Sequence, residues 1–339
     1  MRFGVRWAVG VLAAVAAAVG AAPAGRADMP VKLVMDWAFE GAQSIWTLSQ
    51  ERGCFAKAGL DVTIDRGFGS GDSASKVAAG AYDVGVSDLN TVIQFSGKNP
   101  KKIIAFFVIS DAQPSAIISY KTAGITKPGD LVGKQIGDAP GEAARVLFPA
   151  FAKANGLDAA SISWVNVTPD LRQQILFQKR ADAIAGHMFT MLTGLRALGI
   201  KDDELSVMRY AEWNLSLFGN SVITTPAWLE AHPDAAKTFA RCAAEGIKAS
   251  IADPAAAIAS LKKRNALLQD QVELDSLAFS NNLAIVTPHT KADGLSDVSR
   301  ERLEKIIAQD AAAFEIAPPS VDDIYTDKYL PPRAELMLK

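Results

Sequence analysis

The sequence predicts an α/β protein made of two doubly wound lobes. Short apolar segments typical of buried strands alternate along the chain with amphipathic segments typical of helices. The alternation runs from residue 31 to about residue 110, and a second round starts at residue 115. In each round a strand that ends in an aspartate or a histidine leads into a helix. Ligands of doubly wound sheets bind at the carboxyl ends of the strands, so the predicted site lies there.

The size and charge of the chain limit the classes of function. Its 339 residues are enough for two domains or one large one. Hydrophobic residues make up 49% and charged residues 21%, as in a folded globular protein rather than a disordered one. The formal net charge of −2 argues against a nucleic-acid-binding surface.

Residues 1–27 are predicted to be a signal peptide rather than part of the fold. Two arginines lie near its start, an alanine- and valine-rich run spans residues 7–19, and Ala24 and Ala27 are both plausible cleavage points. The run is too short and too alanine-rich to span a bilayer well. We therefore expect an exported protein.

In the first half, apolar runs and alternating patterns predict four strands, and helix-period patterns between them predict three helices. The first helix is expected to be long and to stop at a glycine. The predicted strands are Val31–Trp37, Leu60–Arg66, Tyr82–Asp88 and Lys101–Ser110, and the predicted helices are Ala42–Gly59, Asp72–Gly80 and Thr91–Gly97.

The second half repeats this pattern, and the chain from Pro226 onward is mostly helical and rich in alanine. One predicted helix contains Pro149, where we expect a kink, and another opens on Pro169, which suits the first turn of a helix. The predicted strands are Ser115–Tyr120, Lys134–Ala139, Ile162–Thr168, Ala181–His187 and Leu205–Trp213, and the main predicted helices are Gly141–Gly156, Pro169–Arg180 and Met191–Gly199.

The glycine-rich segment GFGSGD, residues 67–72, follows a predicted strand and precedes a predicted helix. It lacks the glycine that the dinucleotide fingerprint has at its sixth position, because Asp72 stands there, and it lacks the Gly-Lys-Ser/Thr of a phosphate-binding loop. Asp72 also places negative charge where a phosphate would bind. Two roles remain: a helix start capped by Ser70 or Asp72, or a turn of backbone donors at the wall of a ligand cleft.

The sequence predicts neither a metal site nor a catalytic centre. None of the three histidines, His187, His232 and His289, has a zinc-ligand spacing to another histidine or a cysteine. His232 is expected at a helix end and His289 in a loop. His187 ends a predicted strand, where it either packs against the backbone or faces a cleft.

Cys54 and Cys242 are the only cysteines. Export would permit a disulfide between them. Each lies at a predicted helix or helix end, where a lone cysteine is usually a small buried hydrophobic residue, and we expect that role for both.

Four aromatic residues, Trp37, Phe39, Phe189 and Trp213, fall at the ends of predicted strands. Apolar aromatic walls with a few polar groups are typical of small-molecule sites. We therefore expect some of these rings to line a cleft.

Three segments resemble the periplasmic substrate-binding proteins of ABC importers, in the group that binds thiamine pyrimidines, nitrate and alkanesulfonates. They are MDWAFEGAQSIWTLSQERGCFAKAGLDVTI, GFGSGDSASKVAAGAYDVGVSD and DLVGKQIGDAPGEAARVLFPAFAKANGLD. Together with RADAIAGH they span most of the chain from Val31 to about Pro226. The resemblance implies that Trp37 and the GSGDS loop form parts of the pocket.

The resemblance also implies a type II periplasmic binding protein: two α/β lobes joined by two crossover strands, with the ligand in the cleft between them. One lobe is expected at 31–115 plus 218–339 and the other at 116–217. The implied mechanism is hinge closure around the ligand followed by docking on an inner-membrane permease. We expect a periplasmic monomer without a cofactor, and we expect no enzymatic activity.

Acidic residues near the predicted strand ends favour an amino-bearing aromatic heterocycle, such as a pyrimidine, over an anion, because unpaired carboxylates repel anions and accept hydrogen bonds from amino groups. A small anion such as an alkanesulfonate or nitrate is the alternative, with Arg145 near it. The predicted ligand-binding residues are Trp37, Phe39, Glu40, Ser70, Gly71, Asp72, Ser87, Asp88, Gln113, Gly141, Glu142, His187, Phe189 and Trp213.

Three further interpretations concern the ligand and the class of protein. Thiamine-pyrimidine binders usually carry a polar run with Asn and His after the first-strand tryptophan, whereas this chain has AFEGAQ, which argues against the thiamine precursor itself. The family also contains fungal enzymes that build the thiamine pyrimidine, but their cysteine-rich motif is missing here. A sensor that serves a signalling receptor instead of a permease remains open.

Overall fold

A computed structural model describes residue 1 and residues 28–215 and 217–338. The predicted signal peptide lies, apart from Met1, outside the described residues. The described chain forms two five-stranded sheets. The strands are β1 Met29–Val34, β2 Leu60–Asp65, β3 Val84–Asp88, β4 Ile104–Val108, β5 Ser115–Tyr120, β6 Gln135–Asp138, β7 Ser163–Asn166, β8 Ala183–His187, β9 Leu205–Arg209 and β10 Asn220–Thr224.

Helices cover the faces of the sheets and dominate the chain after β10. They are α1 Ser44–Glu51, α2 Ser70–Ala78, α3 Leu89–Lys98, α4 Ala143–Ala154, α5 Arg172–Phe177, α6 Met188–Ala197, α7 Pro226–Ala231, α8 Pro233–Ala252, α9 Pro254–Lys262, α10 Asp270–Ser280, α11 Pro288–Asp293, α12 Arg300–Phe314, α13 Val321–Ile324 and α14 Arg333–Leu336.

The first sheet has the strand order β2–β1–β3–β10–β4, and β1 runs parallel to both β2 and β3. Every residue of β3 is buried, as expected for a strand covered on both faces. The edge strand β2, LDVTID, alternates between buried and exposed residues because one face is open to solvent. We call the elements packed on this sheet the first lobe.

The second sheet repeats this plan with the order β7–β6–β8–β5–β9. Its strand β6 runs parallel to β7 and β8, and β5 runs antiparallel to β8 and β9. In the same way β10 runs antiparallel to β3 and β4 in the first sheet. We call the elements on this second sheet the second lobe. The doubly wound α/β architecture that the sequence predicts is confirmed.

The chain crosses between the lobes twice: the first crossing is residues 109–114, and the described part of the second is residues 210–215 and 217–219. The two crossings run side by side: the Gly219 amide donates to the Ser110 carbonyl at 2.8 Å, and the Gln113 amide donates to the Leu217 carbonyl at 3.0 Å. These backbone hydrogen bonds join the two crossings to each other where the chain passes between the lobes.

Several predicted elements are shorter than the sequence suggests. The predicted helix Ala42–Gly59 is wrong beyond Glu51, because Gly53 takes a left-handed φ of 72° that a continuous helix cannot contain. The predicted first strand also stops early, at Val34. The backbone then turns so that the carbonyls of Asp36 and Trp37 accept from Gly69 and Gly67 at 2.8 and 2.9 Å.

Three smaller expectations are also wrong. Gly69, rather than Ser70 or Asp72, is the N-cap of α2, and no side chain caps that helix. His289 lies in α11 and not in a loop. Cys54 and Cys242 form a disulfide across 188 residues of sequence, because the packing of α1 against α8 brings their Cα atoms to 5.8 Å.

No helix in the described part of the chain is long and apolar enough to cross a membrane.

Candidate ligand-binding site

A small cavity lies between the lobes at the carboxyl ends of β1 and β8. We call it the polar chamber. The first lobe contributes Asp36, Trp37, Gln43, Gly69 and Ser70 to its wall. The second lobe contributes Glu142, Ala143, Arg172, His187 and Thr190. The chamber therefore lies where a doubly wound fold is expected to hold a ligand.

Asp36 is the buried carboxylate of the first lobe in this chamber, and only 5% of its surface is exposed. Its Oδ2 accepts from Asn220 Nδ2 at 2.7 Å and its Oδ1 accepts from Gln43 Nε2 at 3.4 Å. Burial raises the pKa of Asp36, although attraction to His187 and these hydrogen bonds act in the opposite direction. Asp36 is therefore an acceptor with two protein donors in place.

Arg172 is the buried cation of the chamber, and its side chain is 1% exposed. Its guanidinium carbon lies 4.5 Å from the centroid of the Trp37 ring, and its NH2 group donates to Thr190 Oγ1 at 2.7 Å. Its NH1 group lies 3.6 Å from Asp138 Oδ1 and 3.9 Å from Glu142 Oε1. Arg172 thus binds to both lobes at once.

The Arg172 charge is balanced by the carboxyl pair behind it. Burial first and the neighbouring Glu142 second raise the pKa of Asp138 well above its usual range. Glu142 also caps α4 by accepting from the Ala144 amide. The two carboxyl groups therefore face the Arg172 guanidinium from within the second lobe.

Backbone contacts bring the lobes together beside the chamber. The Gly71 amide donates to the Gly141 carbonyl at 2.8 Å. A Cβ built on Gly69 would lie 2.4 Å from the Gly141 carbonyl carbon. An exposed ion pair at 3.3 Å between Arg66 and Asp170 adds a third link. These contacts describe a closed arrangement of the two lobes.

A second small cavity continues behind the polar chamber, and we call it the rear chamber. Asp36, Gln43 and His187 line both cavities. The apolar side chains of the rear cavity include Ile45, Trp46, Val86, Ile109, Phe189 and Ile285, and its polar members include Ser110, Asn220 and Ser280.

Of the predicted site residues, Trp37, Ser70, Glu142, His187 and Phe189 line one of these two chambers. Gly71 and Gly141 meet in the interlobe backbone contact. Phe39 and Glu40 line a neighbouring cavity with Glu273, where burial raises the pKa of each glutamate to about 7. Trp37 Nε1 donates to Glu40 Oε1 at 3.3 Å and so joins that cavity to the polar chamber.

Ser87, Asp88 and Gln113 form a buried network next to the start of α2. The Asp88 amide donates to Ser70 Oγ at 3.0 Å, and Asp88 accepts from Gln113 Nε2. Burial raises the pKa of Asp88 to about 6. Ser87 Oγ donates to the Ser70 carbonyl at 3.1 Å. The described structure thus gives these three residues protein partners and a role in positioning Ser70.

Two predicted residues and one alternative lie elsewhere. Asp72 pairs with Lys76 at 2.7 Å along α2. Trp213 packs against the core cluster that contains Tyr210 and Phe218. Arg145, considered for an anion, donates to Asn166 Oδ1 at 2.7 Å and stacks on Trp164.

Sequence reasoning missed Asp36, Gln43, Arg172 and Thr190. Asp36 lies two residues after β1, so the strand-end rule applies to it. Arg172 follows β7 closely, so the strand-end rule was available for it. Gln43 and Thr190 have no comparable signal, because only the interlobe approach brings them to the chamber.

His289, Asp293 and Asp297 are the group in the described chain whose side chains come close enough to share a metal ion. His289 already bonds to Asp111 and Asp297 at 2.9 Å each, and Asp293 pairs with Arg333 at 3.0 Å. These partners account for the cluster as a set of ion pairs.

A family model described as NMT1/THI5 like matches residues 45–257. Among solved structures, the alkanesulfonate-binding protein SsuA from Xanthomonas axonopodis pv. citri, bound to MOPS, is 14% identical at a TM-score of 0.67, over 89% of this chain and 100% of that one. The CA3427 gene product of Candida albicans, described as having the generic periplasmic binding protein fold, is 14% identical at a TM-score of 0.64, over 89% of this chain and 98% of that one.

The periplasmic nitrate-binding protein NrtA from Synechocystis PCC 6803 is 12% identical at a TM-score of 0.64, over 89% of this chain and 87% of that one. No curated protein matches the chain. The predicted periplasmic binding protein fold is therefore confirmed.

Proposed function

Because the chain belongs to the NMT1/THI5-like family, we propose that it is the solute-binding component of an ABC-type importer. The observation that carries this proposal is the chamber between two lobes, where Asp36, Gln43 and His187 are each at least 94% buried. Buried polar side chains at an interlobe cavity suit a site that encloses a small molecule.

The mechanism we propose is closure of the lobes about the two crossings. A ligand in the polar chamber would contact the first lobe through Asp36 and the second through Arg172. Binding energy available only when both lobes are in contact shifts the population toward the closed state. The closed form would then dock on an inner-membrane permease.

For the ligand we propose a small, nitrogen-bearing aromatic heterocycle. Asp36 and the free Oε1 of Gln43 offer hydrogen-bond acceptors, and the rings of Trp37 and Phe189 offer apolar faces. The Asp36 carboxylate would repel a small anion. Arg172 favours an anion instead, but the pair of Asp138 and Glu142 balances its charge.

An alkanesulfonate or nitrate is therefore the second candidate. It is favoured by Arg172 and by the amino end of the twelve-residue helix α4, which borders the chamber at Ala143. The relatives named for alkanesulfonate and nitrate point the same way. We propose binding rather than catalysis, a periplasmic location after removal of residues 1–27, and a monomer without cofactor or metal.

The test is a thermal-shift screen of the chain from Asp28 onward with aminopyridines, pyrimidines, flavins, aromatic acids, alkanesulfonates and nitrate. A ligand at a hundredfold excess over its Kd stabilises the native state by about 2.7 kcal/mol. We expect a shift with a heterocycle that is lost in Asp36→Asn. Asp72→Asn is the matched control, because Asp72 pairs with Lys76 and is not among the residues that line either chamber.

A shift with anions alone would contradict the heterocycle. In that case Asp36→Asn should strengthen binding, because the substitution removes a negative charge from the chamber.

A further inference from the structure

We propose that a cavity beside the polar chamber is a second binding site, which takes the ammonium group of a small organic cation. We call it the glutamate cavity, because Glu40 and Glu273 line it from the first lobe. Thr190 and Thr193 line it from the second lobe. The inference goes beyond the proposed function, because it concerns a different cavity and a ligand of a different charge.

The glutamate cavity has room for a small molecule. About 190 Å³ of it is open to the centre of a water molecule, whereas the polar chamber has about 10 Å³ in the same measure. One water needs roughly 10–15 Å³. A ligand of about five non-hydrogen atoms therefore fits in the glutamate cavity without moving its walls.

The charged side chains that line this cavity leave an excess of negative charge. They are Glu40, Arg66, Asp170 and Glu273, with a formal charge of 1 − 3 = −2 when all are ionised. Arg66 and Asp170 form an ion pair at 3.3 Å, so their charges offset each other. The excess therefore belongs to the two glutamates, and a cation is the ligand that complements it.

The hydrogen bonds that the described residues donate to these glutamates come from uncharged groups. Trp37 Nε1 donates to Glu40 Oε1 at 3.3 Å. The Gly41 amide donates to Glu273 Oε2 at 2.6 Å. Burial raises the pKa of both carboxyl groups to about 7, in Glu40 against the attraction of Arg172. A cation in the cavity stabilises the charged carboxylates, so its binding is expected to release protons.

A buried hydroxyl without a partner lines the same cavity. Ser276 lies one turn along α10 from Glu273 and is 1% exposed, and its Oγ has no hydrogen-bond partner among the described residues. Each glutamate uses one carboxylate oxygen in the bonds above, which leaves Glu40 Oε2 and Glu273 Oε1 for a ligand. An alkylammonium group has three N–H donors and no acceptor, so these three oxygens match its hydrogen-bonding capacity.

The rest of the lining favours an organic cation over a bare metal ion. Phe39, Leu268 and Val272 present hydrocarbon surface beside the glutamates. A short alkyl chain placed against them leaves water, which a metal ion does not exploit. Because Thr190 and Thr193 belong to the other lobe, an occupant contacts both lobes and favours their closure.

The experiment titrates the chain from Asp28 onward with butylammonium chloride and follows the indole N–H signal of Trp37 by NMR. That group donates to Glu40 and so reports on the cavity, and its signal is assigned from its loss in Trp37→Phe. We expect the affinity to rise at least tenfold from pH 5 to pH 8 as the two carboxyl groups lose their protons. An alkylammonium, with an ordinary pKa of about 10.4, keeps its charge over this range. The neutral analogue 1-butanol is expected to bind at least tenfold more weakly at pH 8 and without this pH dependence.

Two variants connect butylammonium binding to the cavity. Glu40→Gln and Glu273→Gln each keep an oxygen for the N–H donor already in place, and each is expected to weaken binding at pH 8 by tenfold or more. Glu230→Gln is the matched control, because Glu230 is exposed and should leave the affinity unchanged. The comparison with 1-butanol and the pH series use the unaltered chain, so a folding defect in a variant would not remove the test.

Several results would overturn the ammonium site. Equal affinities for butylammonium and 1-butanol, or undiminished affinity in both glutamine variants, would do so. The same is true if sodium chloride at equal concentration moves the Trp37 signal as far. Sodium butyrate tests the opposite charge, because Arg66 Nε and NH2 are buried without a partner among the described residues. Tighter binding of butyrate than of butylammonium would assign the cavity to an anion.

These outcomes are distinct from those of the proposed function. If a heterocycle raises the melting point and butylammonium does not bind, the ammonium site is overturned and the proposed ligand stands. If butylammonium binds as expected and no heterocycle raises the melting point, the proposed ligand is overturned and the ammonium site stands.

Discussion

The guanidinium of Arg172 stacks on the ring of Trp37, 4.5 Å from its centroid, and so joins the two lobes across the chamber. The same guanidinium faces Asp138 and Glu142 from within its own lobe. One buried cation therefore contacts the other lobe and faces two carboxyl groups of its own lobe.

Replacing Arg172 with methionine is expected to lower the free energy of unfolding by about 3–5 kcal/mol, because it leaves the buried Asp138–Glu142 pair with an uncompensated charge. Urea unfolding followed by circular dichroism measures this. Arg66→Met is the matched control: Arg66 also pairs across the lobes, with Asp170, but at an exposed site worth about 0–1 kcal/mol. Equal losses in the two variants would contradict the proposed charge balance.

Gly69→Ala is expected to prevent closure, because its new Cβ would lie 2.4 Å from the Gly141 carbonyl of the second lobe. The apparent affinity for ligand should fall tenfold or more, in proportion to the fall in the population of the closed state. Small-angle X-ray scattering with the ligand that gives the largest thermal shift should show contraction of the native chain and none in this variant.

Gly80→Ala is the control for backbone strain in that experiment. Gly80 also has a positive φ, 72°, but no atom lies within 4 Å of its added Cβ. It should cost about 1 kcal/mol of stability and leave contraction intact. Contraction of Gly69→Ala to the native size would disprove the steric argument.

Glu273 is expected to make stability depend on pH. Burial raises its pKa to about 7 from an ordinary value of 4.5, and its Oε2 accepts from the Gly41 amide at 2.6 Å. The folded state therefore holds a proton that the unfolded chain loses. The contribution of Glu273 to the free energy of unfolding is complete below pH 4.5 and disappears as the pH rises through 7. Between pH 5 and pH 8 the free energy of unfolding of the native chain should fall by up to about 3 kcal/mol more than that of Glu273→Gln.

Urea unfolding at the two pH values tests this, with the exposed Glu230→Gln as a control that should follow the native chain. A pH-independent difference between the native chain and Glu273→Gln would count against a raised pKa in the folded state.

The disulfide between Cys54 and Cys242 is expected to stabilise the first lobe. It ties the turn after α1 to α8 across 188 residues, which restricts the unfolded chain. The double variant Cys54→Ala/Cys242→Ala should lose about 2–5 kcal/mol of its free energy of unfolding, measured in urea. Reductant should lower the free energy of unfolding of the native chain and leave that of the variant unchanged. Ligand affinity should not change, because neither cysteine is among the residues that line the polar chamber or the rear chamber.

Much of the site follows from local patterns, because a strand end is visible in the sequence. Trp37 and His187 were predicted from that rule, and both line the polar chamber. The rule does not say which way a side chain turns. Trp213 follows a strand as Trp37 does, yet it packs, partly buried, against the core cluster that contains Tyr210 and Phe218.

The sequence by itself determined the alternation of strands and helices, and therefore the α/β class, because hydrophobic periodicity is a property of neighbouring residues. Only the tertiary structure decided the pairing of Cys54 with Cys242, the placement of Arg172 on Trp37, and the two chambers that share Asp36, Gln43 and His187. Each of these brings together groups that are distant along the chain. Their distances depend on how sheets pack and lobes close, and no local pattern encodes that packing.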